Sequence, residues 1–408
     1  MPDVFEKIVK VGSKDQIMNI LYYNLQLGCF DGSNSHAAGM LAALRALHGD
    51  ANVVVANHFE EQTYNHSSAS AKASLGRALD IPRMIRKRAY SKSAAREIVE
   101  RVRFSGFAPD VVLARSTLYD STPIEIARSL GCPLVTESNT PLEYECCDLR
   151  KVSIRPLVRG FERTLYDTST GIYAVSSTLK RMLVDGCSLP DDMVKVVPNG
   201  YSADLYSDYS DRAGLRARVR SNEAVDDAFV IVFVGSLQIW HGIKRLTEIA
   251  DRVNALGGRR TVFWVLGDGA ERDLVERHSR SCDYFRWFGN VPASRMKELL
   301  YAADLGLMPY ERVKSFYFSP LKMYDMVGAG LPYVGLRIGQ IAEESPEEIR
   351  SSCLLDTTDP AAYAERIVEL RDGDELDAIR DILDGFRAGC SWDKRAADLS
   401  EWLGGRCG

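Results

Sequence analysis

Ser319, Pro320, Lys322 and Asp325 combine a helix start with the chemistry needed to hold a diphosphate. Ser319 is a favourable helix N-cap, Pro320 suits the first helical position, and Lys322 follows in the first turn. Unpaired backbone N–H groups, the positive end of a helix dipole and one ammonium then meet at one spot. That spot suits an anion, a diphosphate above all. Asp325, one turn on, shares a face with Lys322. A carboxylate is repelled by phosphate but accepts hydroxyl hydrogen bonds, so a ribose fits beside it. An ordinary capped helix packed on a sheet is the plainer alternative.

What must position these residues is a large chain. Its 408 residues exceed what one core usually organises, so two domains of roughly 200 residues are expected. Short β-rich runs alternate with amphipathic stretches, the signature of parallel sheets with helices on both faces. The first half offers strands around residues 18–23, 52–55, 110–113, 133–136, 172–175 and 195–197; a polar segment reaching about residue 226 follows Pro198-Asn199-Gly200 and reads as a linker. The second half restarts with 229–235, 261–267, 305–308 and 333–334, the first two ending at Gly235 and Gly267, where ligands gather in open α/β sheets. The fold class expected is α/β, with two Rossmann-like doubly wound domains facing across a cleft. Their spans are 1–203 and 204–388, with 389–408 a helix returning to the first domain, its Trp392, Ala396, Leu399 and Trp402 at helical spacing.

Composition narrows the partners. A net charge of −5 gives no global attraction to nucleic acid, so an anionic ligand needs a local patch. Nine cysteines form no paired Cys-x-x-Cys framework, and Cys146 and Cys147 are adjacent, which suits reduced thiols in a cytoplasmic protein. The N-terminus lacks the pattern of a signal peptide, and no apolar run approaches a transmembrane helix. His48, His58, His66 and His278 show no metal-ligand spacing and read as surface or structural.

The motifs have a recognisable order. They are Gly32-Ser33-Asn34-Ser35-His36, Glu137-Ser138-Asn139-Thr140-Pro141-Leu142, Ala174-Val175-Ser176, Pro198-Asn199-Gly200-Tyr201, Val234-Gly235-Ser236-Leu237 with Trp240-His241-Gly242, and Gly267-Asp268-Gly269. Phe288-Gly289-Asn290-Val291-Pro292, Ala303 to Tyr310 and the 315–341 segment complete them. In this series the chain resembles, nearly end to end, the family 4 glycosyltransferases of the GT-B fold, retaining enzymes that use nucleotide-sugars. Phe316-Tyr317-Phe318-Ser319-Pro320-Leu321-Lys322 is similar to one subgroup of them.

The resemblance implies transfer of a hexose-type sugar from a UDP- or GDP-linked donor to an acceptor hydroxyl, in glycan, polysaccharide or glycolipid assembly, with no cofactor and no metal. It implies a donor site in the second half: Gly235, Ser236, His241, Gly267, Asp268, Val291, Tyr317, Ser319, Pro320, Leu321, Lys322 and Asp325, with Gly32 allowing close approach from the first half. Gly267, Asp268 and Val291 are expected to border the nucleobase. Asp325 stands where the family's second glutamate binds the ribose, while the first glutamate falls on Tyr317. The family's Arg and Lys after the first donor-domain strand are Ser236 and His241, and a diphosphate would draw His241 toward its charged form. Asn34, His36, Arg115, Glu137 and Asn139 are the acceptor-side candidates, and His36, His241 and Lys322 the catalytic ones.

Arg83, Arg86, Lys87, Arg88, Lys92, Arg96, Arg101 and Arg103 crowd one stretch with Ile81, Met84, Ile85 and Tyr90 among them. Residues 83–103 suit peripheral contact with anionic lipid on the cytoplasmic face, or simply a solvated helix face. The acceptor is then lipid-linked or a small molecule. A nucleotide-sugar epimerase and a non-catalytic sugar-nucleotide-binding subunit are the competing functions; the single carboxylate in 315–325 argues against the acid/base chemistry of the first.

Overall fold

Strands covered on both faces are apolar at nearly every position, and Phe229–Val234 and Thr261–Leu266 of this chain are. The computed structural model describes residues 17–25, 27, 32–57 and 77–407. Its first sheet takes β1 (Ile20–Tyr23), β2 (Val53–Val55), β3 (Val111–Arg115), β4 (Leu134–Ser138), β5 (Gly171–Ala174) and β6 (Val194–Val196), in the spatial order β2-β1-β3-β4-β5-β6. The second takes β7 (Phe229–Val234), β8 (Thr261–Leu266), β9 (Phe285–Gly289), β10 (Leu305–Met308), β11 (Tyr333–Leu336) and β12 (Leu354–Leu355), ordered β12-β11-β10-β7-β8-β9. Every position of β7 and β8 is buried, and the two pair in parallel from Phe229–Thr261 to Val234–Leu266. Two parallel six-stranded sheets with flanking helices make this a two-domain α/β fold.

Strand order reverses twice. The second sheet grows from β7 through β8 to β9 on one side and through β10 on the other, so β7 and β10 flank a switch point, as β1 and β3 do in the first. The carboxyl ends of strands at such points are where α/β sheets bind ligands.

Three elements depart from the sequence expectation. β9 and β12 add edge strands, and the 201–226 stretch expected as linker contains a helix, Arg212–Asn222. That helix buries only Leu215, Val219 and Arg220, too few apolar positions for a periodic signal. Charge anchors it instead: Arg216 and Arg220 both bond the carboxylate of Asp304, which also accepts from the Val230 N–H.

The compact units are not simple sequence halves. One comprises residues up to Tyr173, Leu183–Lys195 and Ala396–Gly408; the other comprises Ala174–Met182 and Val196–Arg395. The last helix, Trp392–Cys407, therefore ends within the first unit. There a Cβ on Gly171 would lie 2.6 Å from the Trp402 ring, Arg406 bonds the Thr170 carbonyl, and His48 Nε2 lies 2.9 Å from Ser400 Oγ.

Candidate active site

The helix that follows Pro320 spans Leu321–Gly328, one residue later than the sequence suggested. Pro320 is its N-cap, with extended backbone, and Ser319 does not cap it. The reason is Asn199: its N–H donates to Ser319 Oγ at 2.9 Å and its side-chain amide donates to the Ser319 carbonyl at 2.5 Å. With that hydroxyl occupied, no side chain caps the helix, and the N–H groups of Leu321 and Lys322 have no partner among the described residues. An open end of this kind can receive an anion.

Lys322 rises from this end into the switch point. Its ammonium lies 4.1 Å from the centre of the Phe233 ring, on β7, and 4.9 Å from that of Tyr310, just past β10. The residue is 6% exposed and its Nζ has no hydrogen-bond partner among the described residues. Two aromatic faces offer a cation partial compensation only. Burial accordingly pushes the Lys322 ammonium down to about 7. A buried amine without a counter-ion among the described residues, beside open helix amides, can pair with an anion.

Glycines admit the surrounding loops. Gly235, with φ +130°, would place a Cβ 3.0 Å from Lys322 Nζ, and Gly267, with φ +128°, would place one 2.1 Å from the Gly235 carbonyl. The two strand-end turns are thus in backbone contact, joined further by the Leu237 N–H to the Asp268 carbonyl at 3.0 Å. Asp268 turns its own carboxylate to the Gly269 N–H, and Val291 packs half-buried against the core. Gly242, with φ +71°, would drive a Cβ to 1.7 Å from the Pro309 carbonyl, so this turn presses on the segment that carries Tyr310. Arg245 fixes that segment by donating to the Pro309 and Tyr310 carbonyls.

His241 sits on this turn, edge-on to Tyr310 at 5.1 Å. Its Nδ1 donates to the Ser236 carbonyl at 2.5 Å. Burial, reinforced by the Lys322 charge, pushes the ring down to about 3, so without ligand it is neutral rather than an imidazolium. The exposed Ser236 lies beside it. Tyr317 is buried, and its carbonyl accepts from Ser176 Oγ at 2.7 Å, which fixes the loop before the helix. Asp325 is half-buried; its Oδ1 accepts from the Tyr206 hydroxyl at 3.3 Å, and burial lifts the carboxyl to about 7.

In the first unit, His36, Arg115, Glu137 and Asn139 do converge, from the 32–48 helix and the ends of β3 and β4. Gly32 to His36 form the start of the helix Gly32–His48. His36 Nε2 lies 2.8 Å from Glu137 Oε1, which also accepts from Asn139 Nδ2 at 2.8 Å; Arg115 Nε is 3.8 Å away. Tyr173 donates to the other carboxylate oxygen. Burial alone would raise the Glu137 carboxyl, but His36, Arg115 and the Tyr173 hydroxyl hold it well below the usual carboxylate range. Fully buried, Glu137 presents no face to a ligand and organises its neighbours instead. Asn139 Oδ1 is buried without a partner among the described residues, and Asn34 is half-buried nearby on the helix.

The basic stretch forms the helix Asp80–Ser105. Arg83 is held by Asp80 and Ser153, while Leu79, Ile81, Ile85, Arg86, Arg88 and Lys92 are exposed. His48 and His278 prove structural, His278 pairing with Asp251 at 3.1 Å; His58 and His66 lie outside the described residues. Eight described cysteines are free thiols. No described helix is long and apolar enough to cross a membrane.

Known protein families match the first and second halves of the chain in turn. A family described as "Glycosyltransferase Family 4" matches residues 30–205, and one described as "Glycosyl transferases group 1" matches 228–372. An uncharacterized glycosyltransferase of Methanocaldococcus jannaschii is 25% identical over 194 residues, 44% of this chain and 46% of that protein, so the match spans about half of the relative. The fold of Anabaena HepE, solved with UDP-glucose, aligns over 95% of this chain and 99% of that one, with a TM-score of 0.65 and 14% identity. Sucrose-phosphate synthase of Thermosynechococcus elongatus aligns over 95% and 98%, with a TM-score of 0.63 and 14% identity.

Proposed function

We propose that this chain, which belongs to the family 4 and group 1 glycosyltransferases of the GT-B fold, moves a hexose from a UDP- or GDP-linked donor to an acceptor hydroxyl with retention of configuration. The observation that carries the donor half of this reading is the buried Lys322 ammonium, without a hydrogen-bond partner among the described residues, at the open helix end. Nucleotide-sugar use is further supported by the UDP-glucose held by HepE.

In this reading the diphosphate lies across the N–H groups of Leu321 and Lys322, with Gly235 and Gly267 letting it approach and His241 at its side. Asp325 takes the ribose hydroxyls, and Asp268 and Val291 border the base. As the sugar–phosphate bond breaks, negative charge grows on the leaving diphosphate. Lys322 and the helix amides already point at it, which is electrostatic preorganisation and requires no bound metal. The acceptor hydroxyl attacks the face the diphosphate leaves. Asn139, with its free Oδ1, and His36 and Arg115, both held by Glu137, are our candidates for the acceptor side, with Asn34 beside them.

A panel of UDP- and GDP-sugars tests this, because a ligand that binds only the folded state raises its melting temperature. One nucleotide class should stabilise the protein and release its nucleoside diphosphate slowly in solution. No stabilisation by either class would end the donor reading.

For the acceptor we propose a lipid-linked molecule at an anionic membrane, since Leu79, Ile81 and Ile85 are exposed beside Arg86, Arg88 and Lys92. The protein should co-sediment with phosphatidylglycerol vesicles at low salt and be released as salt shortens the screening length to about 3 Å near 1 M. Replacing Arg86, Lys87 and Arg88 by glutamine should abolish sedimentation. Equal recovery with neutral vesicles would favour a soluble acceptor.

A further inference from the structure

Between β6 and the Arg212–Asn222 helix the chain carries a tyrosine whose hydroxyl is committed to the donor helix. Tyr206 is 1% exposed, and its ring packs edge-on against Tyr201 at 5.8 Å and Tyr301 at 6.0 Å. The backbone of the donor helix rests directly on this cluster: a Cβ on Gly328 would lie 2.8 Å from the Tyr201 ring and 2.9 Å from that of Tyr206. The Tyr206 carbonyl is fixed as well, accepting from Arg387 Nη2 at 3.1 Å. Its one polar side-chain atom reaches Asp325 Oδ1 at 3.3 Å.

Burial, with the Asp325 charge beside it, raises the phenol well above its ordinary range, so Tyr206 keeps its proton and donates. Asp325 has one methylene fewer than a glutamate, and a carboxylate with two free oxygens can turn about its last bond. Engaging Oδ1 restrains that rotation and leaves Oδ2 without a hydrogen bond among the described residues. Held this way, a short side chain presents one oriented acceptor.

We infer that Tyr206 is the positioning residue for ribose recognition: its hydroxyl holds one oxygen of Asp325 so that the other meets the ribose hydroxyls of the donor. This rests on the reading of the Leu321–Gly328 helix as the donor site.

The test is discrimination between ribose and deoxyribose, which a residue with a merely structural role would not alter. Calorimetry with UDP and 2′-deoxy-UDP, or with GDP and 2′-deoxy-GDP should the guanine nucleotide bind more tightly, gives the preference for the ribo form. In the parent protein that preference should be about tenfold, the worth of one oriented hydrogen bond. Asp325→Ala should erase it. Tyr206→Phe, which keeps the ring packing, should reduce it to about twofold while the deoxy form binds almost as before. Tyr301→Phe, which removes a hydroxyl bonded to Asp208 in the same cluster, should leave it unchanged. If Asp325→Ala retains the preference, the donor reading of this helix falls; if Asp325→Ala erases it and Tyr206→Phe does not, the positioning role alone is overturned. A fall in affinity for both sugars alike in Tyr206→Phe would also overturn it, leaving only a packing role.

Discussion

Lys322→Met should yield a protein that is more stable than its parent without ligand and nearly blind to nucleotide. Methionine fills similar space against Phe233 and Tyr310 and has no charge to desolvate. The parent ammonium, pushed down to about 7 by burial, carries a cost relative to the unfolded chain, where it titrates near 10.5. Between those values the unfolded chain holds a proton that the folded chain has released, so parent stability rises with pH across that window. Below about 7 the cost is complete, with an upper bound of roughly 5 kcal/mol. Denaturant unfolding at pH 6, 8 and 10 should therefore show the methionine variant ahead at pH 6 and its lead closing by pH 10. Its nucleotide affinity should fall by about 1.5–3 kcal/mol, the worth of a charge-assisted bond to phosphate. A variant less stable at every pH, or one that binds nucleotide normally, would contradict the role given to Lys322.

Donor binding should also take up protons from solution. The His241 ring donates Nδ1–H to the Ser236 carbonyl, so its Nε2 carries a lone pair while the ring is neutral, and a lone pair cannot donate to a phosphate oxygen. Burial and the Lys322 charge keep the ring neutral down to about pH 3. At pH 8 Lys322 too is mostly neutral. An arriving diphosphate favours the charged form of both groups. Calorimetry at pH 8 in buffers of different ionisation enthalpy should report uptake of about one proton for Lys322 and up to about one more for His241. Affinity should weaken as pH rises above about 7. Asp325, lifted to about 7, is mostly ionised at pH 8; a phosphate nearby raises it further, and Asp325→Ala separates its share of the uptake. Lys322→Met should lose about one proton of uptake, and binding without uptake in the parent would refute the coupling.

Much of this fold was legible because its central strands are uninterrupted apolar runs. β7 and β8 could be placed to within a residue, each ending at a glycine whose positive φ the structure uses. β9, interrupted by Arg286, and the 212–222 helix, with four arginines, carried no comparable pattern. In the candidate site, the placement of Lys322 and Asp325 on one helix was legible from their spacing. The cap was not: whether Ser319 caps its helix depends on Asn199, 120 positions earlier in the chain. The aromatic cage of Lys322, the tie of Tyr206 to Asp325 and the burial of Glu137 by Tyr173 are likewise meetings of distant segments, which local spacing cannot reveal.

The same long-range ties govern how this chain can be recombined. Because the second unit takes in Ala174–Met182 as well as Val196–Arg395, no single crossover separates the two. A chimera joined near residue 204 would bring a foreign partner to Ser319 in place of Asn199, and to Tyr317 in place of Ser176. A graft that exchanges donor preference must therefore carry four seams, with the short 174–182 piece and the segment from 196 moved together and the last helix from Ala396 left with its own host.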